Sequence, residues 1–479
     1  MPQDARLPFL ACPARPPMKP GISQSLPADQ YPPGSWQYYL RAGQKCLAAG
    51  RSEAALPPLL AANRLRPGHA PVQQSLGAAF LRTGAPDLAL AWFDQLLSLN
   101  PVDGRALHGR GLALHALMDR PAALAAFRQS VDCHPDAWQS WGSLADITPD
   151  EDERIGAIQC AADALLRLCG SGQNRPRNFA DCAKALLDAR RGHEAVAFIR
   201  RNAAKFEDAW AAHDQLARAF YETGNYHAAL KHKRSALSLG QHDFSGSQLP
   251  PAFSPVAAAR ALCGIAEILD AAGLRYFLAA GTLLGVHRSG APLVHDRDID
   301  VGVLADGGDG PDLARVIREH SGLLLDRRAR PGDRYFALTF QAIAVDIFLY
   351  EPCDGGLQCG LGRLAGDVAW RFTSFNVRAA DFQGRQWPIP DDPERYLTET
   401  YGPRWRTPDT GFASVLSSPA LFEVDPYVRA YYALSRAHTC RLMGDPAKAR
   451  ALLRQSPVHV DLPGQYEAFP STDNDAEDA

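Results

Sequence analysis

A chain of 479 residues, 46% hydrophobic and 22% charged, has ordinary globular composition and room for about three domains, which excludes disorder throughout. Lys and Arg number 50 against 53 Asp and Glu, a formal charge of -3, so no whole-chain field recruits nucleic acid or an anionic membrane surface. Ten cysteines are far below the density of a disulfide scaffold. They read as small core residues in a reducing, cytoplasmic compartment.

Residues 1–34 read as a Pro-rich, disordered lead: nine prolines fall within the first 33 positions, and no apolar run has the length of a secretory signal. The longest apolar stretch, around Tyr276 to Val286, has about 11 residues against the ~20 that a membrane-crossing helix needs. From residue 35 a period of 34 takes over. It links Pro67, Pro101 and Pro135, then Gly43, Gly77 and Gly111, then Ala55, Ala89 and Ala123. Leu59, Phe93 and Phe127 share the phase, and Gly50 and Gly84 sit in the turns.

This pattern resembles the tetratricopeptide (TPR) repeat, a helix, a turn and a second helix. The small Gly and Ala allow close helix crossing, and Pro ends the second helix. The spacing of five from turn Gly to packing Ala returns at Gly192/Ala197 and Gly224/Ala229. An all-α, TPR-like solenoid is therefore expected over 35–239, offering its concave face to a protein partner or serving as an intramolecular platform. The acidic run from Asp150 to Glu153 reads as a helix start or a solvated loop and not as a metal site.

Residues 240–255, rich in Gly, Ser and Pro, form a linker. Beyond it the period changes. Helices are predicted at Val256–Ala272, Thr282–Ser289 and Pro311–His320, and strands at Arg275–Ala279, Asp298–Leu304, Tyr335–Phe340 and Ala344–Tyr350. Interleaved helices and strands indicate an α/β (α+β) domain over 256–410.

The chemistry sits between Gly281 and Asp346. Asp298 and Asp300, two apart on a strand, point to one face with backbones roughly 7 Å apart, close enough to converge on one or two divalent cations. Gly281 and Thr282 open a helix whose free N–H groups can cradle a phosphoryl oxygen. Asp346 lies on another apolar strand, where an unpaired charge is costly. Arg288 on the same short helix can reach a donor phosphate, and Asp296 and His287 are supporting candidates. Cys353 and Cys359 flank a Gly-rich loop without enough further ligands for a zinc site.

The order Gly-Thr, helix, Asp-x-Asp, distant strand Asp resembles the nucleotidyltransferase superfamily. Within it, GTLLG, HDRDID and VDIF, followed by Trp387-Pro-Ile-Pro390 as a Pro-containing turn and the pair Tyr401-Gly402, are similar to the LicD/fukutin family of phosphotransferases over about Leu274 to Pro408. Two positions depart from that family's pattern: Ala280 stands where Gly is usual, and Arg297 replaces an acid. The resemblance implies transfer of a substituted phosphate, of phosphocholine or polyol-phosphate type, from a CDP-linked donor to a carbohydrate or glycolipid hydroxyl. It implies Mg²⁺ or Mn²⁺ on Asp298, Asp300 and Asp346. The competing readings are an NTP-dependent nucleotidyltransferase releasing pyrophosphate and a catalytically inactive TPR scaffold. A last TPR-like hairpin is expected over 424–456, where Gly444 precedes Ala449 by five, with an acidic disordered tail at 457–479.

Overall fold

The computed structural model describes residues 34–172, 175–239, 254–293, 298–305, 312–382 and 384–462. The Pro-rich lead, nearly all of the 240–255 linker, residues 294–297 with Asp296 and Arg297, and the acidic tail beyond 462 lie outside the described residues.

The period of 34 is a run of helix hairpins. These are α1 (Trp36–Ala48) with α2 (Ser52–Leu65), α3 (Ala70–Arg82) with α4 (Pro86–Leu99), α5 (Gly104–Ala116) with α6 (Arg120–Cys133), and α7 (Trp138–Ile147) with α8 (Glu151–Gly170). The glycine register and the Leu/Phe register turn out to be two halves of one contact. A Cβ on Gly43, Gly77 or Gly111 would stand 2.5, 2.5 and 2.4 Å from the side chains of Leu59, Phe93 and Phe127, so each large residue fills the space its glycine leaves. The prolines follow helix ends at Arg66, Asn100 and His134, whose extended ψ near 79, 92 and 80° is the conformation a following Pro imposes. Asp150 caps α8 by accepting from the Glu153 N–H at 2.7 Å, which accounts for the acidic run.

Next come α9 (Pro176–Asp188), α10 (Gly192–Asn202), α11 (Ala209–Glu222) and α12 (Tyr226–Ser238). Except before α8, where Thr148 and Asp150 keep negative φ, the turn before the second helix takes a left-handed residue. Gly50, Gly84 and Gly224 supply it at φ 71, 74 and 75°, but Met118 and Arg190 occupy it at φ 65 and 57°. Gly192 is therefore not the turn residue expected from the spacing of five: Arg190 is, and the buried packing alanine is Ala195 rather than the exposed Ala197. The packing residue counted from Arg190 keeps the interval of five, so the period persists where its glycine is lost.

The chain forms two compact units, and neither is a solenoid alone or a sheet domain alone. The first holds α1 to α9, the described residues from 254 to Cys359, and Ser374–Asp391; the second holds α10 to α12, Gly360–Thr373 and the described chain from Asp392.

In the first unit α13 (Pro255–Ala271) precedes β1 (Tyr276–Leu278), α14 (Ala280–Ser289), β2 (Asp298–Leu304), α15 (Leu313–Glu319), β3 (Leu323–Leu325), β4 (Tyr335–Phe340), β5 (Ile343–Cys353) and β6 (Gly356–Gly360). The sheet order is β1-β2-β5-β4-β3, with β2 and β5 parallel and the other neighbours antiparallel; β6 returns along the far end of β5. One face is apolar throughout: Ile299, Val301, Val345, Ile347, Phe336 and Leu338 are all buried. On this side α13 approaches so closely that a Cβ on Gly264 would lie 2.6 Å from the Phe340 ring. The opposite face of β2, β5 and β4 carries Asp298, Asp300, Asp346 and Tyr335. The motif Trp387-Pro-Ile-Pro390, expected as a turn, is a strand: β9 (Arg385–Pro390) pairs with β8 (Val377–Phe382), and its prolines are tolerated because the ribbon has only two strands.

The second unit contains β7 (Ala369–Phe372), α16 (Pro393–Tyr401), α17 (Ser414–Ser417), α18 (Pro426–Leu442) and α19 (Pro446–Arg454). The last two form the expected TPR-like hairpin, with Gly444 at φ 78° and Ala449 fully buried, and α18 packs on α12. Gly402, at φ 84°, ends α16. Asp367 accepts from the Tyr221 hydroxyl and from the Val368 N–H, and burial raises its pKa.

Two substitutions test the packing rule. Met118→Gly relieves a left-handed side chain and should raise the unfolding free energy by up to ~1 kcal/mol. Gly111→Leu has no room beside Phe127 and should lower it by ~1–3 kcal/mol. Denaturant unfolding of both variants checks the pair.

Candidate functional site

The parallel register of β2 and β5 sets Asp300 directly opposite Asp346 and Asp298 opposite Ala344. Directly paired residues share a face, so all three aspartates project on the side away from α13. Ile299 is 2% exposed on the other side, as the alternation predicts.

Asp346 is 3% exposed and lies close enough to Asp298 for that carboxylate to act on it. Burial first, and the neighbouring Asp298 charge second, push the Asp346 pKa well above the usual carboxylate range. The Tyr335 hydroxyl donates to Asp346 Oδ1 at 2.8 Å and favours the charged form, without reversing the direction. Burial and the Asp346 charge in turn raise the phenol well above its ordinary value, so Tyr335 keeps its proton and acts as a donor.

Asp300 is held differently. Its Oδ2 accepts from the Gly281 N–H at 2.8 Å, and its own N–H donates to Thr282 Oγ1 at 2.8 Å. The first turn of α14 and the strand are stitched by two bonds from one Gly-Thr pair. Gly281 and Thr282, expected to face a phosphate, are placed against Asp300. Close packing explains the second glycine of GTLLG: a Cβ on Gly285 would lie 2.7 Å from the Ala291 carbonyl oxygen. Ala280 has φ 37°, a left-handed value that costs an L-residue roughly 1–2 kcal/mol; the physical demand at this position is for glycine.

His287 and Arg288 lie in the last turn of α14, roughly 7.5 and 9 Å along the axis from Thr282 at about 1.5 Å per residue; His287 is exposed and Arg288 half-buried. Asp296 lies outside the described residues. Tyr335 is the residue that sequence reading missed: it begins a strand 11 positions before Asp346, and only the antiparallel register of β4 on β5 brings its hydroxyl to that carboxyl. Cys353 and Cys359 are free, and burial pushes the Cys359 thiol up to about 12.

Among the described residues no group of three His, Cys, Asp or Glu side chains is assembled as a metal cage. The Asp298 and Asp346 pair nevertheless suits a hard divalent ion: it offers only oxygens, a cation would offset the like charges that burial penalises, and Mg²⁺ commonly takes one or two carboxylates and completes its shell with water and substrate phosphates. Nor is any described helix long and apolar enough to cross a membrane.

Helical repeats joined to a mixed sheet with a carboxylate-bearing strand pair and a Gly-Thr helix start define a TPR-like protein with a nucleotidyltransferase-type domain. The chain carries a LicD domain: the family described as LicD/FKTN/FKRP, nucleotidyltransferase domain, matches residues 273–355. Over 151 residues it is 26% identical to mouse (Mus musculus) and 24% identical to human (Homo sapiens) "Ribitol-5-phosphate transferase FKTN". That match covers 30% of this chain and 32% of each relative, so the likeness spans about a third of their length. Solved structures similar to the helical part include PilF of Pseudomonas aeruginosa, 16% identical over 44% of this chain and 95% of that one with a TM-score of 0.31. Another is a tetratricopeptide repeat protein of Parabacteroides merdae, 15% identical over 45% and 83% with a TM-score of 0.30.

The raised Asp346 pKa has a measurable signature. Because the folded-state pKa of Asp346 lies above its unfolded value, the associated stability is complete below the unfolded value and is lost as pH rises through the folded one. Asp346→Asn keeps an acceptor for Tyr335 without that loss. Its melting temperature in chelator should gain on the unaltered chain as pH rises above the ordinary carboxylate range; a gap that stays constant would contradict the raised pKa. Ala280→Gly should add about 0.5–1 kcal/mol in denaturant unfolding, the relieved strain less the greater freedom of the unfolded chain.

Proposed function

We propose that this chain is a metal-dependent phosphotransferase. It moves a substituted phosphate, of polyol-phosphate or phosphocholine type, from a CDP-linked donor to a carbohydrate or glycolipid hydroxyl and releases CMP. The observation that carries this reading is the parallel register that sets Asp298, Asp300 and Asp346 on one face of β2 and β5, with Asp300 fixed by Gly281 and Thr282. Ribitol-5-phosphate transferase relatives support the polyol-phosphate class of donor.

Asp298 and Asp346 would hold Mg²⁺ or Mn²⁺, with Asp300 near enough to join or orient the shell. When bound, the ion would neutralise the diphosphate charge and offset the charge of the two carboxylates. The residues do the rest by position. Tyr335 keeps one Asp346 oxygen aimed by its hydrogen bond, and the Gly281 N–H keeps Asp300 aligned with the start of α14. The acceptor oxygen attacks phosphorus in line, the bond from that phosphorus to the CMP oxygen breaks, and the hydroxyl proton passes to an ionised carboxylate of the pair. Arg288 is the candidate for the donor phosphates and His287 a weaker one, while Gly281 and Thr282 serve to fix Asp300.

The deciding assay incubates the full chain with CDP-linked polyol and choline donors, Mn²⁺ or Mg²⁺, and glycan acceptors, and measures CMP. Metal-dependent CMP release that falls ~10²–10⁴-fold in Asp298→Asn and Asp346→Asn is the expected result. Pyrophosphate release from an NTP instead would reassign the site to nucleotidyl transfer. Binding of a partner by the repeats with no turnover of either donor class would leave the scaffold reading.

A further inference from the structure

The turn between β3 and β4, residues 326–334, takes no part in the chemistry above, yet helices of the same unit grip it from several directions. Arg154 of α8 is 2% exposed; it donates to the Asp326 carbonyl oxygen at 2.7 Å and to the Ala329 carbonyl oxygen at 2.8 Å. Arg327 makes two parallel bonds of 2.6 Å to the carboxylate of Asp146 on α7. Arg190, just past α9, donates to the Arg328 carbonyl oxygen at 3.0 Å and pairs with Asp333. Arg330 donates to the Asp188 carbonyl oxygen at 3.0 Å.

Burying a guanidinium is expensive. One that spends its donors on two main-chain carbonyls of a turn fixes the path of that backbone. The gripped turn runs straight into β4. Arg334 accepts at its carbonyl from the Leu349 N–H at 2.8 Å and pairs through its side chain with Glu351 at 2.6 Å; the next residue is Tyr335, which donates to Asp346. An unbroken set of contacts therefore leads from Asp146 and Arg154 through the turn and Tyr335 to the carboxyl pair.

We propose that Asp146 and Arg154 are positioning residues for the transferase site: by holding the turn that precedes β4, the helical repeats set where the Tyr335 hydroxyl stands and so how Asp346 faces Asp298. The repeats of the first unit thereby act as part of the catalytic machinery and not only as a platform for a partner. This inference rests on the reading of Asp298 and Asp346 as the ion-holding pair.

The test compares the full chain with Asp146→Asn, Arg154→Lys, Tyr335→Phe and the Asp146→Asn/Tyr335→Phe double variant. Mn²⁺ affinity is read by calorimetry, kcat and KM by CMP release, and folding by melting temperature. Loss of an outer-shell partner costs roughly 10–100-fold in metal affinity or activity. Asp146→Asn should accordingly weaken Mn²⁺ binding and kcat by about tenfold or more, with the donor KM within about twofold. The double variant should be little worse than Tyr335→Phe, because both act through one hydroxyl. Arg154→Lys, which keeps the charge but not the two-carbonyl fork, should move the same two constants in the same direction. Exchanging the pair, Asp146→Arg with Arg327→Asp, should recover most of the loss. A merely structural contact would lower the melting temperature and leave Mn²⁺ affinity and kcat unchanged in folded variants; that result overturns the inference, as do losses that multiply with Tyr335→Phe. An unaltered chain that binds no Mn²⁺ brings down the metal reading and this inference together, whereas Mn²⁺ binding that is equal in all forms brings down the inference alone.

Discussion

Two carboxyl groups on neighbouring parallel strands, one of them almost wholly buried, resist carrying two negative charges at once. In this protein burial and the Asp298 charge hold the Asp346 pKa well above the carboxylate range, and what surrounds the pair keeps that arrangement in place. The apolar face beneath, packed on α13, prevents the strands from twisting the carboxyls away. Tyr335 approaches from β4 to occupy one oxygen. The Gly281 and Thr282 start of α14 holds the third aspartate in line. Such a cluster is destabilising unless something positive enters it, and that is the physical reason for regarding it as a site for chemistry and not as a strand end.

The helical repeats obey a different economy. Each of the first three hairpins closes through a glycine on one helix and a bulky residue 16 positions later on the next, which leaves little freedom at either position. Where a turn glycine is missing, as at Met118 and Arg190, the left-handed backbone persists because the surrounding packing over-determines it. At Arg190 the replaced glycine has a second consequence, since the longer side chain reaches Arg328 and Asp333 in the turn before β4. The repeat pattern erodes where the helices contact the turn before β4.

Much of this was legible in order. The strands at 298–304 and 335–340 coincide with their alternating patterns, and the helices at the linker, after β1 and at the C-terminal hairpin fall within a few residues of expectation. Short or irregular elements were not legible: β3 is only three residues long and β6 is a glycine-bounded return strand, too brief to carry a period. The β9 strand was hidden because two prolines argue against any strand, a penalty that a two-stranded ribbon escapes. The shift from Gly192 to Arg190 shows the limit of reading turns from glycine alone, since backbone sign follows packing as well as residue type.

The sequence alone determined the repeat period, the alternation that sets Asp298, Asp300 and Asp346 on strands, and the Gly-Thr step beside them, because these depend on local stereochemistry within a few turns or pleats. Only the tertiary structure decided which carboxyls meet, that Gly281 and Thr282 bind Asp300, and that Tyr335 and the helices of the first unit converge on Asp346. Strand order and register are settled by the burial of whole faces against one another, and no local pattern contains that information.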